Sequence, residues 1–436
     1  MNRNGYLILI KVVVVVLLFS SCDKKAENST ATVHLKKNGD SYELYRNGEV
    51  FHIKGASASS YFKELKAAGA NTVRVYDTTN LGVRLDSAFF YQLAVIVDLP
   101  ITRYYNNDSL FMDQKFMDNE LNSLKVTVKK YKNHPAILYW ILGNEINYPD
   151  QPIDNKYIKH FNNLVNQVQN IDVDHPVSTA VGGFNRSKII NIKNFSPKID
   201  FISINIFGEL STFSERKNAI SWLWNGPYIF SEFGVNGQWE AYKTKWGAPV
   251  EETSTKKAEQ YQTRYTNYIE TLNDGRLLGT LFFYWGVKQE RTHTWFNTLD
   301  DDGKKNESAF VFEEIWKGQN KSFYGPKINY LLMNDKGAKD NIVAKAGDIA
   351  KMDLLMEEGQ NLDSLSVRWE LRKENWNYLY NQVEKRPELL MDSLVLKNKE
   401  KFKFRIPQLE GPYRIFLFLE NKDVFATANI PFYVFE

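Results

Sequence analysis

Short apolar runs alternate with helical segments from residue 52 to residue 286 of this 436-residue chain. The runs are rich in β-branched residues, which is typical of strands that are buried on both faces of a parallel sheet. Eight such runs are present: 52–56, 71–77, 93–100, 137–145, 176–182, 200–207, 228–234 and 279–286. The helices expected between them include 60–68, 83–91, 114–131 and 255–272. Eight strand–helix units of this length predict a (β/α)8 TIM barrel.

The competing architecture is a doubly wound open sheet, but no Gly-x-Gly-x-x-Gly turn follows the first run. Asn-Gly pairs at 38–39 and 47–48 predict a β-hairpin before the barrel. After residue 320 strand follows strand with turns between them, which is typical of a β-sandwich. The expected strands are 328–333, 350–356, 365–371, 401–406, 411–419 and 424–434. The predicted fold class is therefore α/β, with a TIM barrel at 31–320 followed by a small β-sandwich domain, immunoglobulin-like in form, at 321–436.

The start of the chain has the features of a secretory signal: a basic first part, an unbroken apolar stretch at 12–18, and small residues before Cys22. Its end resembles the lipobox of bacterial lipoproteins, in which the cysteine is lipidated and becomes the N-terminus. We expect residues 1–22 to be a lipoprotein signal peptide with lipidated Cys22, and 23–30 to be a polar tether. The competing interpretation is an uncleaved anchor, but Lys11 makes the apolar segment short for a membrane span.

Composition excludes several classes of function. Cleavage of the signal would remove two positive charges from a formal net charge of +3, so no basic field would attract nucleic acid. Cys22 is the only cysteine, so we expect no disulfide and a fold that depends on the size of its core. The six histidines show no paired spacing, and the acidic turn 300–303 lacks the later glutamate of a calcium loop. We expect neither a metal nor a cofactor.

Two glutamates mark the ends of apolar runs: Glu145 ends the fourth run, and Glu232 lies in the last part of the seventh. A carboxyl group is costly to bury, so a strand that ends in one is more often building a site than filling a core. The active site of a TIM barrel lies at the C-terminal ends of its strands. Hydrolysis of a glycosidic bond needs two carboxyl groups. Aromatic rings, which stack on sugars, make up 14% of the residues. The pair suggests a retaining glycoside hydrolase.

The sequence around these glutamates resembles glycoside hydrolase clan A. Members of this clan place the acid/base and nucleophile glutamates on strands four and seven of a TIM barrel, as Asn144-Glu145 and Glu232 do here. Residues 133–145 are similar to the corresponding stretch of the family 2 catalytic domain.

Two further segments, 70–76 and 230–234, also resemble the fungal-type β-1,3-glucanosyltransferases. The resemblance as a whole covers about residues 40–316.

The resemblance implies a role for each matching residue. Glu145 would be the acid/base, Glu232 the nucleophile, and Asn144 a hydrogen-bonding partner of the sugar 2-hydroxyl. Arg74 matches the strand-two arginine of the clan, whose charge would keep a neighbouring nucleophile ionised. Asn205, at the end of the sixth run, is a further expected substrate-binding residue.

Aromatic side chains are expected to bind the sugar. Trp285 matches the strand-eight tryptophan that forms a sugar platform in the clan. Trp239 follows the nucleophile and Trp295 follows the eighth run, so both are candidate platforms on loops at the same end of the barrel. Core packing is the competing interpretation of each tryptophan. Tyr148 is also a candidate for substrate binding.

The sequence departs from the clan at the sixth strand, where many members have a tyrosine near the nucleophile. Phe207 occupies the corresponding place here. Tyr148, Tyr284 or Tyr76 could supply the hydroxyl instead, and the sequence does not choose among them.

The predicted function is that of a retaining glycosidase that cleaves β-linkages in an oligosaccharide or polysaccharide, for example a β-glucan. We expect it to be extracytoplasmic and held to a bacterial membrane by its lipid. The alternatives are a β-glucan transglycosylase and a non-catalytic glycan-binding surface lipoprotein. The sugar, the linkage, endo or exo action and the oligomeric state are not determined by the sequence.

Overall fold

The computed structural model of the protein describes residues 32–319, 322–360, 362–374, 385–395 and 399–436. The predicted signal peptide, lipidated Cys22 and tether lie outside the described residues. No helix in these ranges combines the length and the apolar composition that a membrane crossing needs.

A closed barrel of eight parallel strands forms the first part of the fold, in the order β10-β11-β4-β5-β6-β7-β8-β9. The strands up to the end of the barrel are β1 (Val33–Asn38), β2 (Ser41–Arg46), β3 (Glu49–Val50), β4 (Ile53–Ser57), β5 (Thr72–Val75), β6 (Ala94–Leu99), β7 (Ile137–Leu142), β8 (Val177–Gly182), β9 (Phe201–Ile206), β10 (Tyr228–Phe233) and β11 (Leu277–Phe282). Every residue of β6, β7, β9 and β10 is buried, because the barrel interior covers one face and the helices cover the other.

Helices surround the barrel as the apolar periodicity predicts. They are α1 (Phe62–Ala67), α2 (Leu81–Phe90), α3 (Gln114–Tyr131), α4 (Lys156–Ile171), α5 (Arg186–Phe195), α6 (Phe213–Asn218), α7 (Ser254–Arg264) and α8 (Glu307–Lys317). A π-helical turn, Tyr265–Glu270, continues α7. Side-chain oxygens of Asp113, Asn155 and Asn185 accept backbone N–H groups at the starts of α3, α4 and α5, which fixes where these helices begin.

The predicted hairpin is formed by β1 and β2 and lies across the N-terminal ends of the barrel strands. Val33 N donates to Asp174 O at 2.9 Å, and Tyr42 N donates to Gly275 O at 2.7 Å. Both acceptors precede barrel strands. The hairpin therefore covers the face opposite the strand ends that carry the two glutamates.

The second part of the fold is a β-sandwich. Its strands are β12 (Ile328–Met333), β13 (Val343–Lys345), β14 (Ile349–Met356), β15 (Ser366–Lys373), β16 (Leu389–Leu394), β17 (Lys401–Arg405), β18 (Gly411–Glu420) and β19 (Phe425–Phe435). One sheet has the order β12-β14-β17 and the other β13-β19-β18-β15-β16. The ring of Trp369 from one sheet stacks on Phe402 from the other at 5.9 Å, within one shared apolar core. The predicted fold class, a TIM barrel followed by a β-sandwich, is confirmed.

The sandwich packs directly on the barrel. The side chain of Arg414 on β18 is almost fully buried, and its guanidinium donates to Pro249 O at 2.7 Å and to Glu374 Oε2 at 2.7 Å. Thr427 N donates to Ser254 Oγ at 2.9 Å, at the first residue of α7. The sandwich thus contacts the loop that follows β10, the strand that carries Glu232.

Candidate active site

A buried arginine connects the C-terminal ends of five barrel strands. Arg74 on β5 has no exposed surface, and it donates to Asp98 Oδ1 at 2.9 Å and to Asp98 Oδ2 at 2.7 Å. It also donates to Glu232 Oε1 at 3.0 Å, Asn205 Oδ1 at 3.0 Å and Asn144 Oδ1 at 2.8 Å. Burial alone would lower the pKa of Arg74, but the charges of Asp98 and Glu232 help to raise it well above its usual value. The guanidinium is therefore a permanent cation beneath the site.

Glu232 lies in β10 with 5% of its surface exposed. Its Oε1 accepts from Arg74 and from the hydroxyl of Tyr76, which is 2.9 Å away. Burial raises the pKa of Glu232 to about 8, and the charge of Glu145 also raises it, while Arg74 and the Tyr76 hydrogen bond lower it.

Tyr76 is the residue that supplies the hydroxyl beside Glu232. Its oxygen also lies 2.6 Å from Ser57 Oγ, so Ser57 can donate to Tyr76 while Tyr76 donates to the carboxylate. The ring lies under the guanidinium of Arg74, 4.6 Å from ring centre to the guanidinium carbon. Of the three tyrosines that the sequence left open, Tyr76 contacts Glu232, whereas the Tyr284 hydroxyl donates to Ser59 Oγ at 2.9 Å.

Glu145 follows β7 in a left-handed backbone conformation, with φ of 49°. Such a conformation is uncommon for a residue other than glycine. It turns the carboxyl group over the barrel, where Oε1 accepts from Asn205 Nδ2 at 3.1 Å. A Cβ atom at Gly182 would lie 3.3 Å from Glu145 Cδ, so the absence of a side chain there makes room for the carboxyl group. Glu145 is partly exposed, unlike Glu232.

Asn205 on β9 links the two halves of the site. Its Nδ2 donates to Asn144 Oδ1 at 3.0 Å as well as to Glu145, and its Oδ1 accepts from Arg74 and from Ser231 Oγ. The amide orientation is fixed by this pattern, because each end of the group has partners of one kind. Glu145, Asn205, Arg74 and Glu232 are therefore joined in one hydrogen-bonded chain.

Three of the predicted sugar-binding aromatic residues are buried in the structure, and those predictions are wrong. Trp285 has no exposed surface, and its ring packs near Phe312 and Trp316 of α8. The ring N–H of Trp295, which is 2% exposed, donates to a backbone carbonyl in the loop after β10. Tyr148 is 1% exposed and its hydroxyl lies 2.8 Å from Ser196 Oγ. None of these rings has a free face for a sugar.

A different set of aromatic residues extends from the glutamates to the surface. The ring of Phe283 lies 6.3 Å from that of Tyr76 and 5.8 Å from that of Phe207. Phe207 in turn meets Trp239 edge to face at 5.2 Å, and Trp239 is 52% exposed. Trp239 is thus the one predicted platform with a free face. Sequence reasoning missed Phe283, because the apolar run 279–286 predicted that this residue lies inside the strand.

The other acidic strand ends differ in their surroundings. Asp98 pairs with Arg74, as described above. Asp77 pairs instead with Arg84, at 3.1 Å between Oδ1 and Nη1. Within the described ranges, no group of three or more His, Cys, Asp or Glu side chains could hold a metal ion.

Comparison with known proteins finds matches to the barrel and to the fold. Residues 86–274 match the TIM barrel domain of glycosyl hydrolases family 2. The matched stretch contains β6 to β10 and therefore both glutamates. The predicted resemblance to the clan A barrel is confirmed by this family 2 match and by the closed barrel. No curated protein matches the sequence.

Solved structures are similar to the chain in fold. One is Bacteroides uniformis β-glucuronidase 2 covalently bound to cyclophellitol-6-carboxylate aziridine, with a TM-score of 0.51 and 14% identity over 92% of this chain and 48% of that one. Another is the β-D-glucuronidase of Dictyoglomus thermophilum, with a TM-score of 0.50 and 17% identity over 67% of this chain and 54% of that one. The chain spans about half the length of these enzymes. At such identities the similarity shows the fold alone.

Proposed function

We propose that the protein is a retaining glycoside hydrolase that cleaves β-linked glycans. The observation that carries this proposal is the hydrogen-bonded chain from Glu145 through Asn205 and Arg74 to Glu232, at adjoining ends of barrel strands. It brings two carboxyl groups with different surroundings to one place. One is buried against a cation and the other is partly exposed, and such a difference suits a nucleophile and a proton donor.

The proposed mechanism is a double displacement. The ionised carboxylate of Glu232 attacks the anomeric carbon from the floor of the site while Glu145 protonates the departing glycosidic oxygen, which gives a covalent glycosyl-enzyme. Glu145 then deprotonates a water molecule, which attacks the same carbon and releases the sugar. Arg74 and Tyr76 stabilise the carboxylate of Glu232 when it is released in this second step.

Substrate binding is assigned to three groups. The amide oxygen of Asn144 already accepts from Arg74 and Asn205, so its NH2 group is left to donate to the sugar 2-hydroxyl. Trp239 offers its exposed face to a sugar ring further from the point of cleavage. A β-glucan stays the first candidate substrate, and β-glucuronides deserve testing because enzymes with that activity share the fold.

Tyr76 favours turnover over glycan binding alone. The non-catalytic alternative was motivated by Phe207, which has no hydroxyl for the nucleophile. The Tyr76 hydroxyl contacts the carboxyl group of Glu232 from the end of β5, the second strand of the barrel. The phenylalanine after β9, the sixth barrel strand, is therefore no argument against catalysis.

The experiment is incubation of residues 23–436 with β-glucans, mannans, xylans and aryl β-glycosides, including a β-glucuronide. Wild type is compared with Glu145→Gln and Glu232→Gln by product analysis. Glu209→Gln is the matched control, because Glu209 lies on the same side of the barrel but pairs with Arg216. We expect products from wild type and the control and almost none from the other two variants.

Each other outcome has a definite meaning. Products longer than the substrate would indicate a transglycosylase. Retained polysaccharide binding with no product from any substrate would overturn the proposal in favour of a binding protein.

We also propose that the protein is an extracytoplasmic lipoprotein. The support comes from the sequence of residues 1–22, in which the apolar stretch and the small residues precede Cys22. Mass analysis of the N-terminal peptide of the purified full-length protein tests this, since diacylation or triacylation of Cys22 is expected.

A further inference from the structure

Exposed apolar side chains stand at the ends of several barrel helices. Phe89 and Phe90 end α2 and are 53% and 77% exposed, and Phe195 ends α5 and is 37% exposed. Val173 and Trp222 lie in the segments after α4 and α6 and are 76% and 80% exposed. Helices of a TIM barrel run antiparallel to the strands, so all five side chains lie at the N-terminal ends of the strands. We call this set the basal rim.

The basal rim lies on the face opposite the glutamates. The active site is at the C-terminal ends of β7 and β10, one strand length away from the basal rim. Each of these strands has six residues, which corresponds to roughly 20 Å at about 3.3 Å per residue. A flat surface against the basal rim would therefore leave the active site open.

The chain enters the described structure at this same face. Thr32 O accepts from Asn47 N, and Val33 N donates to Asp174 O, which directly follows Val173 of the basal rim. Nine residues lie between Cys22 and Thr32. The ten residue-to-residue steps of a fully extended chain reach at most about 35 Å. A lipid on Cys22 would thus hold the basal face close to a bilayer.

We propose that the basal rim lies against the lipid bilayer and that the active site points away from it. This proposal relies on the proposed lipid anchor and not on the proposed hydrolysis. Tryptophan and phenylalanine are residues that favour the interfacial zone of a membrane. The five side chains stand on four different helix ends around the barrel, which suits a flat, deformable partner. A protein partner would instead need a packed apolar centre with a polar rim.

The orientation has a consequence for the substrate. With the basal rim on the lipid, the two glutamates face the compartment, so a polymer that cannot approach the bilayer closely could still enter the site. Release of products would also occur away from the membrane surface.

The test uses the full-length acylated protein in phosphatidylethanolamine–phosphatidylglycerol vesicles. Cys22 is the only cysteine and is blocked by its lipid, so Trp222→Cys introduces a single thiol for an environment-sensitive fluorophore. Phe90→Cys gives a second position on the basal rim. Tyr242→Cys is the matched control, because Tyr242 is 48% exposed on the loop after β10, at the active-site end. Spin-labelled lipids serve as the quencher.

We expect quenching at Trp222→Cys and Phe90→Cys to exceed that at Tyr242→Cys at least threefold. Equal quenching at all three positions, no quenching at any of them, or stronger quenching at Tyr242→Cys would overturn the proposal. An unacylated Cys22 in the purified protein would overturn it as well, while leaving the proposed hydrolysis untouched. Glycan turnover by the same three labelled variants provides the check that each one is folded.

Discussion

Arg74 has no exposed surface and still carries a full charge, because acceptors from four other strand ends surround its guanidinium. Removal of its partners would leave a buried, uncompensated charge, which would destabilise the folded protein by several kcal/mol. The arginine therefore fixes the relative positions of Asp98, Asn144, Asn205 and Glu232. Pre-organisation of this kind is what catalysis by positioned charges requires.

Tyr76→Phe tests whether the Tyr76 hydroxyl takes the place of the tyrosine that many clan members have at the sixth barrel strand. Loss of a hydrogen bond to a charged group costs about 1.5–3 kcal/mol, so we expect kcat to fall roughly 10- to 100-fold. Because that hydrogen bond lowers the pKa of Glu232, and the nucleophile must be ionised to attack, loss of the bond should move the acid limb of the pH–rate profile to higher pH. Tyr284→Phe is the control, as its hydroxyl donates to Ser59. Equal losses in both variants, with no shift of the limb, would contradict the assigned role.

Glu232→Gln should stabilise the protein against unfolding at alkaline pH. Burial raises the folded-state pKa of Glu232 from 4.5 to about 8, so the native protein keeps a proton that the unfolded chain releases within this window. The stability that this group contributes is present below pH 4.5 and is lost as pH rises through 8. Since one pKa unit corresponds to about 1.4 kcal/mol, we expect the variant to gain at least ~1 kcal/mol over wild type between pH 5 and pH 8.5.

Glu251→Gln should change the free energy of unfolding in the opposite direction, measured in the same experiment. Burial would raise the pKa of Glu251, but the charge and hydrogen bond of Lys257 lower it below its usual value. Its removal should therefore destabilise the protein, and more at neutral pH than at acid pH. A gain in stability for Glu232→Gln that does not change with pH would argue against the raised pKa.

The sequence predicted much of the site at this scale. Glu145 and Glu232 were named from their places at strand ends, and Arg74 and Asn144 from the resemblance to clan A. The structure brings these four residues together with Asn205, which the sequence also named. The tyrosine could not be chosen from the sequence. The position of a tyrosine hydroxyl depends on the direction of the ring, and that direction is set by neighbours from other strands.

At the scale of the element, the end of β11 determines which aromatic residues reach the site. The apolar run predicted a strand to residue 286, but β11 ends at Phe282. The chain leaves the barrel direction there, so that Phe283 faces Tyr76 and Phe207 while Trp285 packs under α8. Boundaries of this kind depend on tertiary packing, which the periodicity of one run does not contain.

Two tryptophan substitutions separate a core role from a platform role. Trp285→Ala should lower the free energy of unfolding by about 3–5 kcal/mol, since the whole indole is buried. Trp239→Ala should leave the unfolding transition within about 0.5 kcal/mol and raise KM for oligosaccharides more than for aryl glycosides. Thermal unfolding and steady-state kinetics on both variants check this. A raised KM together with unchanged stability in Trp285→Ala would restore it as a platform.

At the scale of the whole molecule, the sandwich is joined to the loop after β10 by buried polar contacts. Arg414 is 1% exposed and connects Pro249 of that loop with Glu374 of the sandwich. Replacing Arg414 with alanine would leave Glu374 buried with one fewer partner. Arg414→Ala should therefore lower the free energy of unfolding by about 3–5 kcal/mol. We expect calorimetry to show one transition that moves as a whole to lower temperature. The control, Lys401→Ala, changes a side chain that is 75% exposed.

Two separate transitions, with only one displaced by Arg414→Ala, would show that the barrel and the sandwich unfold independently. In that case the sandwich does not stabilise the loop beside Glu232.

The sandwich was predictable as a class, but its strand list was not complete. The sequence missed β13, which has three residues, and β16, an edge strand whose side chains are mostly exposed. Neither strand carries the alternating apolar pattern that signals a half-buried strand, because neither has a face fully covered by the core. The longer strands β15, β18 and β19 were recognised since each contributes several side chains to that core.

Covalent trapping with 2-deoxy-2-fluoro β-glycosides, made from the sugar that the substrate panel identifies, shows directly whether Glu232 is the nucleophile. We expect a mass increase of one sugar on the intact protein, mapped to Glu232 in the peptide that contains Tyr228–Phe233. The adduct should be absent in Glu232→Gln and present in Glu209→Gln. An adduct on Glu145, or a turnover reaction whose first product has the inverted anomeric configuration, would contradict this role of Glu232.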